Sequence, residues 1–242
     1  MRGVRGGEAL PGAFRREQVF IGSSHRIEEA RYVPPPPTEV DRLMSGLENY
    51  LSRRSEFPLL VRMAMVHYHF EAIHPFRDGN GRVGRLLMTL MLLSDDLLPA
   101  PLLYLSPFFE RNRAEYYTLL LEVSTKGAWH SWVEFVLRAV IEEAADAIAR
   151  IGRLLQLRAE YHEMIQRTRV QAASIKLIDA LFADPLVTAR RAALALGLTV
   201  AATQAQIDRL VAAGILREIT GGKRNRVYMA DGIMHLLEDE KP

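Results

Sequence analysis

Apolar positions along most of this chain recur at helical intervals, and the places where that rhythm fails mark its ends. Leu60, Met63, Ala64, His67 and Phe70 follow three- and four-residue steps and predict a helix over residues 59–73. Residues 86–93 are apolar except for Thr89 and predict the start of a second, buried helix. Upstream, residues 1–37 are punctuated by Gly and Pro around one alternating stretch, which predicts a short hairpin and an extended segment. Prolines 34 to 37 impose a polyproline-like exit. A helix over residues 38–51 follows, with Thr38 as N-cap and Glu39 and Asp41 in its first turn. The helical pattern then runs to about residue 166, with breaks at 74–80, 99–101, 106–107 and 126–127. Residues 131–165 form one amphipathic pattern longer than most single helices. A kink or break near Gly152 is therefore expected, and the stretch suits a spacer or a homodimer surface.

From residue 174 the elements shorten. Helices are expected at 175–182, stopped by Asp184-Pro185, at 189–196, and at 200–213 after a turn at Gly197. Gly214 caps the last of these, and strands at 215–219 and 226–229 flank a Gly221-Gly222 corner. Helix, helix, turn, helix, hairpin is the order of a winged helix-turn-helix. The expected architecture is mainly α: a helical core with a small β-hairpin over 1–145, a helical connector over 146–170, and a small winged helix domain over 171–242.

Composition narrows the classes. With 49% hydrophobic and 25% charged residues the chain is an ordinary globular protein, and 242 residues can bury one large or two modest cores. A net charge of +2 gives no overall pull toward nucleic acid or membrane. The absence of cysteine excludes disulfides, thiolate zinc sites and a cysteine nucleophile, and suits a reducing compartment. The longest apolar run is far shorter than the roughly 20 residues of a membrane span. The basic N-terminus lacks the apolar stretch of a signal peptide, so the cytoplasm is the expected location.

The chemistry is concentrated in His74-Pro75-Phe76-Arg77-Asp78-Gly79-Asn80-Gly81-Arg82-Val83-Gly84-Arg85. A Gly-rich loop that runs into a helix leaves backbone N–H groups unpaired at the positive end of the helix dipole, which is an anion site. Arg82 and Arg85 share a face of the first turn and can grip phosphate oxygens. Asp78 supplies a hard oxygen for Mg²⁺ beside phosphates and waters. His74 is the group that can accept a proton near neutral pH. Together these describe a phosphoryl or nucleotidyl transfer site. Residues 79–84 also satisfy G-x-G-x-x-G, but a helix precedes them where a dinucleotide site has a strand, and the Gly-Lys-Ser/Thr of a Walker A loop is missing. His67 and His69, two apart on a helix, point in opposed directions and cannot chelate one metal; a packed or surface role is expected.

The string His74-x-Phe76-x-Asp78-Gly79-Asn80-Gly81-Arg82-x-x-Arg85 resembles the signature of the Fic (Fido) family, with all eight fixed positions met. Residues 14–37 resemble that family's β-hairpin flap (about 17–35), and residues 105–109 and 113–117 the segment that closes over the base. The resemblance implies a protein adenylyltransferase. It would move AMP from ATP, with Mg²⁺, to a Ser, Thr or Tyr hydroxyl of a protein and release pyrophosphate. It further implies His74 as base and Asp78 as metal ligand. The nucleotide would be held by Asp78, Gly79, Asn80, Gly81, Arg82, Val83, Gly84, Arg85, Tyr116, Tyr117 and Ser124, with the Asn80 side chain on phosphate. A target strand would lie along Ile21, Gly22, Tyr32 and Val33. Ser124 stands where relatives often carry asparagine. The family's inhibitory-helix marker, S/T-x-x-x-E-G/N, has no match here. In the C-terminal region, residues 186–229 carry seven basic against two acidic side chains, and Lys223, Arg224 and Arg226 suit a phosphate-binding wing. DNA or a protein could be the partner of that module, and a nucleotide-responsive DNA-binding regulator is the competing function.

Overall fold

The computed structural model describes residues 12–22, 26–166, 172–222 and 225–238. It divides into two compact units, Met1–Ala145 and Asp146–Pro242. Among the described residues no helix is long and apolar enough to cross a membrane.

The first unit is helical: α1 (Pro37–Ser52), α2 (Leu59–Ile73), α3 (Asn80–Ser94), α4 (Ser106–Arg111), α5 (Arg113–Lys126) and the start of α6 (Trp129–Gln166). Helix α1 begins one residue earlier than expected. Pro37 occupies its first turn and Pro36 is the N-cap, so Thr38 lies inside the helix and caps nothing. Proline suits the first helical position because its missing N–H would be unpaired there anyway. Val40, Met44 and Leu47 form the inward face of α1. Helix α2 is buried on nearly every side, with Met63, Ala64, Val66, His67, Phe70 and Ile73 all in the interior. Helix α3, expected to be buried, is amphipathic: Met88, Met91 and Leu92 point inward, while Leu86 and Leu90 are 56% and 49% exposed. From α6 come Trp132, Phe135, Val136 and Ala139 to complete one continuous core. The Trp132 indole donates to the Ala64 carbonyl at 2.8 Å, which satisfies its N–H in the interior.

Among the described residues the expected hairpin shows one antiparallel bridge, Ile21 to Tyr32, plus a short 3-10 turn at Ile27–Glu29. Its N–H···O bonds are 2.8 Å (Ile21 to Tyr32) and 3.1 Å (Tyr32 to Ile21). Prolines 34 to 37 carry no N–H, so the ladder cannot lengthen past Val33.

Helix α6 runs through Gly152 without the break that is one of the two expected outcomes there. A helical glycine costs only about 1 kcal/mol, and a Cβ there would meet nothing within 4 Å. The second unit comprises the end of α6, α7 (Ala172–Leu181), β1 (Leu186–Val187), α8 (Ala189–Leu196), α9 (Val200–Ala212), β2 (Arg217–Glu218), β3 (Tyr228–Met229) and α10 (Asp231–Glu238). Its three strands form an antiparallel sheet in the order β1-β3-β2, with Met229 facing Leu186 on one side and Arg217 on the other. Thr188 and Thr199 cap α8 and α9 by accepting from Arg191 N–H and Ala202 N–H. Gly197, at φ +65°, makes the turn between those helices. The segment read as a connector contributes Tyr161 and Ile165 to this unit's core, alongside Leu177, Ile178, Ile207 and Leu210. Strand β1 and helix α10 were not foreseen, and β2 is two residues long because Ile215 and Leu216 fill the core before it.

Candidate active site

Helix α2 ends on His74, which takes left-handed backbone angles (φ 50°, ψ 60°) and caps the helix by donating its N–H to the Phe70 carbonyl at 3.0 Å. A non-glycine residue in that region is strained and persists only when its surroundings fix it. Two interactions fix the loop. The Phe76 ring packs on Phe14 and Phe70 at centroid distances of 5.7 and 6.2 Å. The Asn80 carboxamide closes a ring with one residue, accepting from Phe76 N–H at 2.8 Å and donating to its carbonyl at 2.7 Å. The Asn80 side chain, expected on phosphate, spends both of these bonds inside the loop. Gly79, at φ +85°, then turns the chain into α3.

His74 Nδ1 lies 3.3 Å from the Glu71 carbonyl. A carbonyl can only accept, so this contact places the proton on Nδ1 and leaves Nε2 with its lone pair. Burial lowers the His74 pKa, the Glu71 carbonyl opposes this, and the nearby Arg15 cation adds to the lowering. The imidazole is thus held neutral and able to accept a proton.

His74 looks into a cavity of about 370 Å³ between the Ile21–Tyr32 bridge and helices α2, α3 and α5. A second cavity of about 330 Å³ adjoins the loop itself. His74, Gly81, Arg85, Tyr116 and Tyr117 line both. Asp78, Gly79, Asn80 and Arg82 line the second, where Asp78 and Arg82 pair at 3.3 Å with both side chains about half exposed. Ile21, Gly22 and Tyr32 line the first; Val33 is exposed and does not. The Tyr32 hydroxyl donates to the Ala72 carbonyl at 2.9 Å, anchoring the bridge to α2.

Val83 and Gly84 lie apart from the rest of the motif. Val83 packs against the core, and Gly84 faces α2: a Cβ there would come within 2.7 Å of Glu71 Oε1 and 3.0 Å of the His67 ring. Neither lines either of these two cavities. Within the tyrosine pair, Tyr116 is buried, and its hydroxyl lies 3.0 Å from His67 Nε2. Tyr117 is the one with a half-buried ring on the cavity wall, with the Arg113 guanidinium 5.7 Å from its centroid. Ser124, farther along α5, shares a 2.9 Å hydrogen bond with the Tyr68 hydroxyl. His67 itself stacks with Phe109 and Trp132, and burial drives its pKa down to about 3.

Two residues of the site were given no role in it from the sequence. Glu71 is 9% exposed, and its Oε1 has no hydrogen-bond partner. Burial raises its pKa to about 7 against the opposing charge of Arg85. Its only signal was a lone acid on an otherwise buried helix face. Arg15 is also buried and bonds to carbonyls around His74. Of the C-terminal candidates, Arg226 donates to the Gly222 carbonyl, while Lys223 and Arg224 lie outside the described residues.

Residues 3–92 match the Fic/DOC family model. The chain is 34% identical over 127 residues to the protein adenylyltransferase Fic of Aedes aegypti, which covers 52% of this chain and 22% of that protein. It is 33% identical over 113 residues to a probable protein adenylyltransferase of Aquifex aeolicus, covering 47% and 31%. The chain thus spans less than a third of the length of these relatives. A crystal structure of a Fic family protein from Desulfovibrio desulfuricans shares the fold, with a TM-score of 0.54 at 24% identity over 93% of this chain and 64% of that one.

Proposed function

We propose that the first unit transfers AMP from ATP to a side-chain hydroxyl of a protein. The observation that carries this reading is the meeting of His74, the first turn of α3 and Arg85 around two cavities that share these residues, the first of them under the Ile21–Tyr32 bridge; the start of a helix leaves N–H groups unpaired. The backbone at Gly81 and the Arg82 and Arg85 guanidiniums take the phosphates. His74 Nε2 takes the proton from the incoming hydroxyl as its oxygen bonds to the α-phosphorus. The bond from that phosphorus to the β-phosphate oxygen breaks, and pyrophosphate leaves with the electron pair. A target segment lies against the Ile21–Tyr32 bridge as an added strand.

The residues present fit Mg²⁺ as a companion of the nucleotide. Asp78 is one half-exposed carboxylate beside the phosphate-binding loop, and this cation takes one or two carboxylates plus phosphates and waters. No cluster of three or more His, Cys, Asp or Glu suited to a metal occurs among the described residues, so a permanent all-protein site has no support. The cation neutralises phosphate charge.

The second unit we read as a winged helix module, on its helix-strand-helix-helix-strand-strand order. Two of its basic side chains are spent internally, Arg191 on Asp184 at 2.6 Å and Arg217 on Asp231 at 2.6 and 2.9 Å. That favours docking to a protein over binding DNA.

The test is transfer of label from ATP carrying it on the α-phosphate into proteins of a cell lysate or into the chain itself. His74→Ala should abolish incorporation and leave ATP binding within about twofold, because the base acts on the hydroxyl. Undiminished labelling by His74→Ala, or equal labelling from ATP marked on the γ-phosphate, would overturn the assignment.

A further inference from the structure

A single guanidinium joins the two ends of the flap to the catalytic histidine. Arg15 is 6% exposed and lines neither cavity. Its Nε donates to the carbonyl of His74 itself at 2.9 Å, and one Nη2 donor reaches the Ile73 carbonyl at 3.3 Å. The other two contacts go to the flap: Nη1 to the Glu17 carbonyl at 3.2 Å, near its entry, and Nη2 to the Pro35 carbonyl at its exit. The Arg15 backbone N–H adds a bond to the Pro75 carbonyl at 2.8 Å. Gln18 closes the same neck, donating to the Pro34 carbonyl at 2.9 Å.

The carbonyls of Ile73 and His74 are among the last of α2, and the end of a helix leaves such groups without partners at the negative pole of its dipole. Glycine would ordinarily make the left-handed turn at position 74. A histidine must be held there, and Arg15 holds the carbonyl that defines its ψ angle. Lysine could not replace the fork: it offers a point charge, whereas arginine offers a planar set of donors aimed at several acceptors.

We propose that Arg15 is a positioning residue that sets the orientation of His74 and the position of the flap together. A target strand that presses on the flap then acts on the base through one rigid link. For its activity arm the proposal rests on the transfer reading above; its spectroscopic arm does not.

The experiment uses the full chain, with Arg15→Lys and Arg15→Met. Loss of base alignment should lower kcat, by about 100-fold in Arg15→Met, the scale of a displacement near 1 Å. KM for ATP should stay within about twofold, since Arg15 touches no nucleotide pocket. Ring NMR of His74 should show its titration moving upward in Arg15→Met, where the neighbouring cation is gone, and staying in place in Arg15→Lys. Gln18→Ala, which loosens the neck without reaching His74, should leave that titration unchanged. A purely structural Arg15 would lower stability and leave the kcat of the folded fraction alone; that result overturns the proposal. In the unsubstituted protein, side-chain ¹⁵N spectra should show a guanidinium with slow rotation, and a freely rotating Arg15 would refute it even if neither variant folds. If the unsubstituted chain transfers nothing, the functional reading fails, while these NMR measurements still decide the role of Arg15.

Discussion

Replacing Glu71 by glutamine tests whether the floor of the site carries a carboxyl that is buried at a cost. Glu71 ordinarily titrates near 4.5 and is raised to about 7 by burial, with Arg85 opposing. Between those values the folded protein holds a proton that the unfolded chain has released, so unfolding is favoured as pH rises. The contribution to stability is therefore fully present below 4.5 and lost as pH climbs to about 7. At about 1.4 kcal/mol per pH unit the loss amounts to about 3 kcal/mol, of which about 2 kcal/mol falls between pH 5 and 7.5. His67 works in the other direction. Its pKa drops from 6.5 to about 3, so its contribution is present above 6.5 and lost on acidification. Over the shared interval the two slopes nearly cancel in the unsubstituted protein. In Glu71→Gln the His67 slope stands alone.

Trp129 and Trp132, the chain's two tryptophans, both lie in the first unit, so fluorescence-detected urea unfolding of the full chain reports on that unit. Relative to the unsubstituted protein, Glu71→Gln should gain about 2 kcal/mol between pH 5 and pH 7.5, about 1 M in the urea midpoint. Any constant effect of the new amide cancels from this difference. The same pH dependence in both proteins would show that Glu71 is ionised and solvated in the folded state, and the reasoning would fail.

Packing, metal and charge each give one further expected outcome. Gly84→Ala should destabilise the first unit by about 1–3 kcal/mol, because the added methyl meets Glu71 and His67 in a packed interior, whereas Gly81→Ala meets the movable end of Arg85 at 3.2 Å and should cost less; equal midpoints in urea would refute the contrast. Asp78→Ala and Arg85→Ala should both weaken productive ATP use, but only Asp78→Ala should raise the Mg²⁺ needed for half-maximal transfer, and superimposable Mg²⁺ titrations would remove Asp78 from the metal. The full chain should show no salt-dependent binding to duplex DNA; binding whose salt slope falls by roughly 0.9 for each phosphate that Lys223→Ala, Arg224→Ala or Arg226→Ala leaves unneutralised would make the second unit a DNA reader instead.

What could be read from the chain alone was what is local. Helix α2 follows from periodicity, α3 from its apolar run, α8 from its closing glycine, and the turn into α3 from a Gly-rich loop. What could not be read was held by long-range burial. Arg15 meets its carbonyls 58 and 59 residues away, and no pattern near residue 15 announces a cation that will be enclosed. Nor does the alternation of residues 17–35 reveal that, among the described residues, Ile21 and Tyr32 will be joined by an isolated bridge and not by a ladder. The motif shows the same division within six residues. Helical spacing puts Arg82 and Arg85 on one side of the first turn of α3, and the same geometry turns Val83 and Gly84 toward the core and α2. A string of letters is silent about which side of a helix each letter serves. Gly84 is small because Glu71 and His67 are already there, so its tolerance to substitution is set by packing, whereas Arg82 and Arg85 line an open cavity where no such packing constrains them.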